Sequence, residues 1–150
     1  MNYTFADKTM VAGALNIRLE MLKVVNGLPA DYEYDEGFVS ACRDYFINGN
    51  QMTVLAMDEE NEVIGCATMS YIAVMPTFSH PTGKRAHLMN VYVREHYRRM
   101  GIAAEMAGML IEDARKKGVT EVSLDATSMG RPLYEQLGFR ASEECMTLCL

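Results

Sequence analysis

The run of residues 88–125 constrains this chain more than any other part of it. Residues 86–93 are rich in Leu, Met, Val and Tyr and read as a strand. Past Gly101 the apolar spacing turns helical, with Ala103, Met106, Leu110 and Ala114 on one side. Arg115, Lys116 and Lys117 close that helix where its dipole favours cations, and Gly118 supplies the stop. Residues 119–125 read as a second strand. Strand, long helix and strand make a β-α-β unit, which requires two parallel strands joined by a right-handed crossover. The chain is therefore α/β with a partly parallel sheet.

No repeat, low-complexity tract or linker interrupts the sequence, so residues 1–150 are read as a single domain. Leu15, Leu19 and Leu22 recur at helical intervals, and Gly27 with Pro29 ends that pattern. A second helix is expected over 35–48, with Phe38, Cys42, Tyr45 and Phe46 as its apolar stripe and Gly49 as its stop. Residues 52–57 and 63–74 form an expected hairpin about the polar turn at 58–61. Residues 76–83 read as a loop, 129–137 as a short helix, and 139–150 as an extended tail.

Composition narrows the function classes. A net charge of -6 disfavours nucleic acid and anionic membrane as partners. No apolar run approaches the roughly 18 residues of a membrane span, and the N-terminus lacks a signal-peptide pattern. The expectation is a cytoplasmic protein. Cys42, Cys66, Cys145 and Cys149 have no C-x-x-C spacing and read as buried small hydrophobes, the last two sharing a strand face. His80, His87 and His96 show no ligand spacing, so no metal is expected.

Chemistry concentrates where the strand meets the helix. Arg94, Arg98 and Arg99 fall within six residues, which by charge alone is a solvated turn. Gly101 changes that reading. A helix start leaves its first N–H groups unpaired and partly positive, which suits an anion. Gly101 lets a phosphate approach, Ala103 and Ala104 keep the first turn open, and Arg98 and Arg99 add charge-assisted hydrogen bonds. The P-loop pattern fails, because Phe78 stands at its first glycine and Arg85 at its Ser/Thr; G-x-G-x-x-G is absent.

Arg98, Gly101 and Ala103 fill the three defined positions of [Q/R]-x-x-G-x-[G/A], and Leu133-Tyr134-Glu135-Gln136-Leu137-Gly138-Phe139 fits L-Y-x-x-x-G-F downstream. The chain thereby resembles the Gcn5-related N-acetyltransferases (GNAT) over nearly its whole length. That resemblance implies a mostly antiparallel mixed sheet of six or seven strands, splayed between the parallel fourth and fifth, with about four helices. It implies that the pyrophosphate of acetyl-CoA rests on Arg98, Arg99, Met100, Gly101, Ile102, Ala103 and Ala104. The pantetheine arm would follow the main chain of Val91 and Val93, with an N–H near Val91 polarising the thioester. Thr127, where the family often has Asn, and Ser128 are further candidates for that arm, and Arg131 for coenzyme or acceptor. Tyr134 is the implied general acid. Asp125 and His87 are candidate bases, and Asn90 is placed to orient a water.

The resulting expectation is an N-acetyltransferase acting on an amine, a small molecule ahead of a protein N-terminus, with a homodimer left open. The alternative is a non-catalytic acyl-CoA sensor. The acidic stretch Asp31, Glu33, Asp35 and Glu36 reads as a solvated helix entry, with attraction of a cationic amine as its functional reading.

Overall fold

The computed structural model describes residues 1–150. In chain order the elements are β1 (Asn2–Phe5), α1 (Val11–Asn26), α2 (Glu36–Asn48), β2 (Gln51–Met57), β3 (Val63–Ala73), β4 (Lys84–Val93), α3 (Ile102–Lys116), β5 (Glu121–Ser123) and α4 (Arg131–Gln136). The strands form one sheet in the order β1-β2-β3-β4-β5. Every neighbouring pair is antiparallel except β4 and β5, which run parallel as the β-α-β reading requires.

Two of the helix boundaries and one turn have a clear local cause. The Asp35 carboxylate accepts from the Phe38 N–H and starts α2. Gly27, at φ 60, adopts the left-handed conformation that ends α1. The β2–β3 turn closes on Asp58, whose carboxylate accepts from the Glu60 and Glu62 N–H groups. Those bonds hold its pKa below the usual carboxylate value.

Period-two alternation divides the sheet into two buried faces. Val54, Ala56, Ala67, Met69, Ala86 and Leu88 face α3, where Ile102, Met106 and Leu110 complete the larger core. Leu55, Cys66 and Tyr92 face α1 and pack on Ala14, Ile17 and Met21. Burying a side chain such as Met106 or Leu110 is worth about 1.5–3 kcal/mol, so this helix–sheet contact dominates the fold.

Three expectations need correction. The sheet has five strands rather than six or seven, because residues 139–150 join no strand. Residues 141–150 are exposed throughout, so Cys145 and Cys149 are neither buried nor on a strand. A short apolar run has strand composition whether or not a sheet edge receives it, and periodicity cannot tell which. The apolar stripe of α2 is also largely open: Cys42 is buried, but Phe38 and Tyr45 are exposed. This helix packs on α1 and stands off the sheet.

Candidate active site

β4 pairs with β5 only through Arg85–Glu121, Ala86–Val122 and His87–Ser123. Beyond His87 the ladder to β5 ends, in keeping with the splay that the family resemblance implies. The departure coincides with a β-bulge. Thr68 faces Met89 but Cys66 faces Tyr92, so β4 carries one extra residue there. Asn90 absorbs it at φ 57, a left-handed conformation that asparagine tolerates better than most residues. The bulge turns Asn90 toward Thr68, on the α1 side of the sheet.

Past the bulge the main chain of β4 presents an open edge. The Arg94 N–H bonds Ile64 of β3, and alternation then directs the polar groups of Val91 and Val93 away from β3. No strand covers that edge. The Val93 carbonyl is taken by Arg98, whose Nε donates to it at 3.0 Å.

The loop between β4 and α3 is held from both sides. Arg94 binds Glu20 of α1 through Nε and Nη2, at 3.0 and 2.9 Å, and Glu62 through Nη1 at 2.8 Å. These carboxylates raise the guanidinium pKa further above neutrality. Arg94 is therefore a structural clamp rather than part of a free basic cluster, as its spacing from Arg98 had suggested. Arg99 and Gly101 both take positive φ, 62 and 79. Such turns aim successive N–H groups into one concavity.

The main-chain N–H groups of Arg99, Met100, Gly101, Ile102, Ala103 and Ala104 have no acceptor within the protein. Gly101 stands at the helix N-cap position without a capping side chain, and a Cβ added there meets nothing within 4 Å. An open row of unpaired donors at the positive end of α3, roughly half an elementary charge, can bind a polyanion with little reorganisation.

Tyr134 lies on α4 and meets the Phe139 ring edge-on, with centroids 6.0 Å apart. It packs against the larger core cluster, as Val91 and Leu124 do. Burial raises its pKa, so the phenol stays protonated at neutral pH. Its hydroxyl has no hydrogen-bond partner in the protein.

The remaining candidates divide. Asp125 and His87 come together, with 3.6 Å from Oδ2 to Nε2, and the other His87 nitrogen lies 2.8 Å from Ser123 Oγ. The Asp125 side chain is fully exposed. Thr127 Oγ1 accepts from the Gly130 N–H at 3.1 Å, so it shapes the turn into α4. Ser128 is exposed beside it. Arg131 pairs with Glu135 on its own helix at 2.9 Å.

Sequence reading missed a cavity of about 320 Å³ between α2 and the sheet. Arg18, Cys42, Phe46, Ser70, Met89 and Asn90 are among its walls. Asn90 joins this cavity to the open edge of β4. The available signal was Arg18, a cation set among Leu15, Met21 and Leu22 on a helix that otherwise turns apolar residues inward.

Comparison with known proteins supplies the family. The model of the acetyltransferase (GNAT) family matches residues 21–139, most of the chain, including β4, the loop into α3 and Tyr134 but not Arg18 or Glu20. The chain belongs to the GNAT acetyltransferase family. A glucosamine 6-phosphate N-acetyltransferase of Trypanosoma brucei brucei is 34% identical over 88 residues, which cover 59% of this chain and 58% of that enzyme. The chain thus spans less than two thirds of the length of that curated relative. Among solved structures, a predicted acetyltransferase of Clostridium acetobutylicum with acetyl-CoA superposes with a TM-score of 0.84 at 26% identity, covering 99% of this chain and 95% of that one. A GCN5-related N-acetyltransferase of Ralstonia eutropha shares the fold, with a TM-score of 0.75 at 20% identity over 99% and 97% of the two chains. The five-stranded sheet and parallel β4–β5 pair are thus a GNAT fold.

Proposed function

We propose that this GNAT protein transfers the acetyl group of acetyl-CoA directly to the amine of a small acceptor. The observation that carries the reading is the row of unpaired N–H groups on residues 99–104, next to the uncovered edge of β4. A coenzyme pyrophosphate matches that row, with charge-assisted hydrogen bonds each worth about 1.5–3 kcal/mol. Arg98 and Arg99 stand beside it. In this reading the pantetheine arm follows Val91 and Val93, with Thr127 and Ser128 as further candidate contacts. An acetyl-CoA-bound relative of the same fold supports the choice of coenzyme.

In the reaction the neutral amine nitrogen attacks the thioester carbonyl carbon, forming the C–N bond. The Val91 N–H stabilises the oxyanion. The C–S bond breaks, and Tyr134 gives its phenolic proton to the departing thiolate. The proton lost by the amine leaves through water toward the exposed Asp125–His87 pair. The attack needs no covalent enzyme intermediate, because alignment of the two reactants supplies the positioning gain. Two exposed unpaired thiols, Cys145 and Cys149, suit a reducing compartment such as the cytoplasm.

The test is release of free coenzyme A thiol in the presence of a broad panel of amines. Amine-dependent release supports the enzyme reading. Tight acetyl-CoA binding with no turnover on any amine favours a sensor.

A further inference from the structure

We infer that the cavity beneath α2 seats an oxyanion, so the acceptor is a small primary amine that carries a phosphate or carboxylate group. This rests on the acetyltransferase reading and names the substrate class of that site. Arg18 is the only charged side chain on the cavity wall. It is partly buried, and no carboxylate pairs with it. Glu20, two residues on, is taken by Arg94 and by the Tyr92 hydroxyl. The one side-chain acceptor Arg18 has is the Asn90 amide, 3.1 Å from Nη1.

That amide is fixed in orientation. Asn90 Nδ2 donates to Thr68 Oγ1 at 3.1 Å, and Thr68 is joined to buried Thr53 at 2.8 Å. Asn90 Oδ1 is therefore aimed at Arg18 and holds the guanidinium in place, with its remaining donors unmatched. A guanidinium fork with free N–H groups fits carboxylate and phosphate oxygens two at a time. A second hydrogen-bonding pair, Tyr45 Oη and Ser70 Oγ at 2.6 Å, lies on the same wall. Phe46, Cys42 and Met89 supply apolar contact for a short carbon skeleton.

Geometry sets the length of the acceptor. Arg18 is one hydrogen bond from Asn90, and Asn90 adjoins Val91, where the thioester carbonyl is to lie. The oxyanion and the reacting amine are thus separated by a few bonds. About 320 Å³ is at the small end of the range for ligand sites, which favours an amino sugar phosphate or an amino acid over a protein chain. The relative active on glucosamine 6-phosphate belongs to this chemical class.

The test uses matched acceptors: glucosamine 6-phosphate against glucosamine, phosphoethanolamine against ethanolamine, and glycine against glycinamide. Each is assayed with the wild-type protein, Arg18→Lys and Arg18→Met, with melting temperatures and acetyl-CoA affinity measured alongside. The charged member of at least one pair is expected to be preferred by about tenfold or more in kcat/KM, the worth of one charge-assisted hydrogen bond. Phosphate or carboxylate is told apart by which pair shows it. Arg18→Met should erase the preference mainly through KM, Arg18→Lys should restore part of it, and acetyl-CoA affinity should not change. Equal use of both members, or a preference that survives in a folded Arg18→Met protein, overturns the inference. If no amine is acetylated, the enzyme reading fails separately. Calorimetry with glucosamine 6-phosphate and glycine then decides the seat: Arg18-dependent binding supports it and absence of binding overturns it.

Discussion

The guanidinium of Arg98 reaches back across its loop and donates from Nε to the main-chain carbonyl of Val93 at 3.0 Å. It lies over the Tyr92 ring, 6.0 Å from the centroid. The residue that sequence alone would assign to a phosphate thus also sets the path of the chain between β4 and α3. Arg98→Ala should weaken acetyl-CoA binding about tenfold, near 1.4 kcal/mol, while Arg98→Lys, which lacks the planar fork, recovers only part. Titration calorimetry on the two variants checks this.

Tyr134 is expected to act on turnover and not on affinity. Tyr134→Phe keeps the ring that packs against Phe139 and removes only the proton donor, so kcat should fall about a hundredfold, within the range for general acid catalysis. Acetyl-CoA affinity should be unchanged. Burial raises the phenol pKa above its ordinary 10.0, and the protonated form is the active one. This group should therefore cause no loss of activity below pH 10.0, and its contribution should disappear only above that. The same sign applies to folding: the neutral buried phenol favours the native state below the ordinary tyrosine range, and this gain is lost as pH rises beyond it. A pH–rate profile compared with that of Tyr134→Phe is the measurement.

The thiols should separate cleanly into two classes. Cys66 is fully buried, its Sγ donates to the Asn90 carbonyl at 3.2 Å, and burial pushes its pKa up to about 12. Cys42 is the buried residue of α2, while Cys145 and Cys149 are exposed. Alkylation of native protein should modify Cys145 and Cys149 quickly and leave Cys42 and Cys66 until the protein unfolds. Mass spectrometry of partially labelled protein reads the sites directly.

These thiols also mark where the sequence stopped being informative. Composition assigned all four to the interior, yet burial of the last two depends on whether residues 139–150 find a sheet edge. The β-α-β unit was legible because strand period, helix period, Gly101 and Gly118 agree within one short stretch. The donor row was legible for the same reason, since a helix start after a strand determines where its N–H groups are free. The clamp role of Arg94 was not legible because its carboxylate partners, Glu20 and Glu62, are 74 and 32 residues away. The cavity at Arg18 was hidden likewise, since it depends on how far α2 stands off the sheet, and no local pattern encodes that distance.

The Arg94 clamp should be measurable as stability. Its ion pair with Glu20 is about one-third exposed on both sides, between the surface and buried cases. Arg94→Ala should cost about 1–2 kcal/mol in urea unfolding. Arg115→Ala, which removes an exposed pair with Glu112 at 3.4 Å, should cost less than about 0.5 kcal/mol.

The central claim is that the donor row on residues 99–104 binds the coenzyme pyrophosphate, and calorimetric titration of acetyl-CoA tests it most directly. Wild-type protein is compared with Gly101→Ala, which carries only the strain of a Cβ at φ 79, and with Gly101→Glu, which adds a carboxylate at the open cradle. Saturable one-to-one binding is expected for the wild type, weaker binding for Gly101→Ala, and none for a folded Gly101→Glu. Equal affinity in wild type and Gly101→Glu, or no binding by the folded wild-type protein, would contradict it.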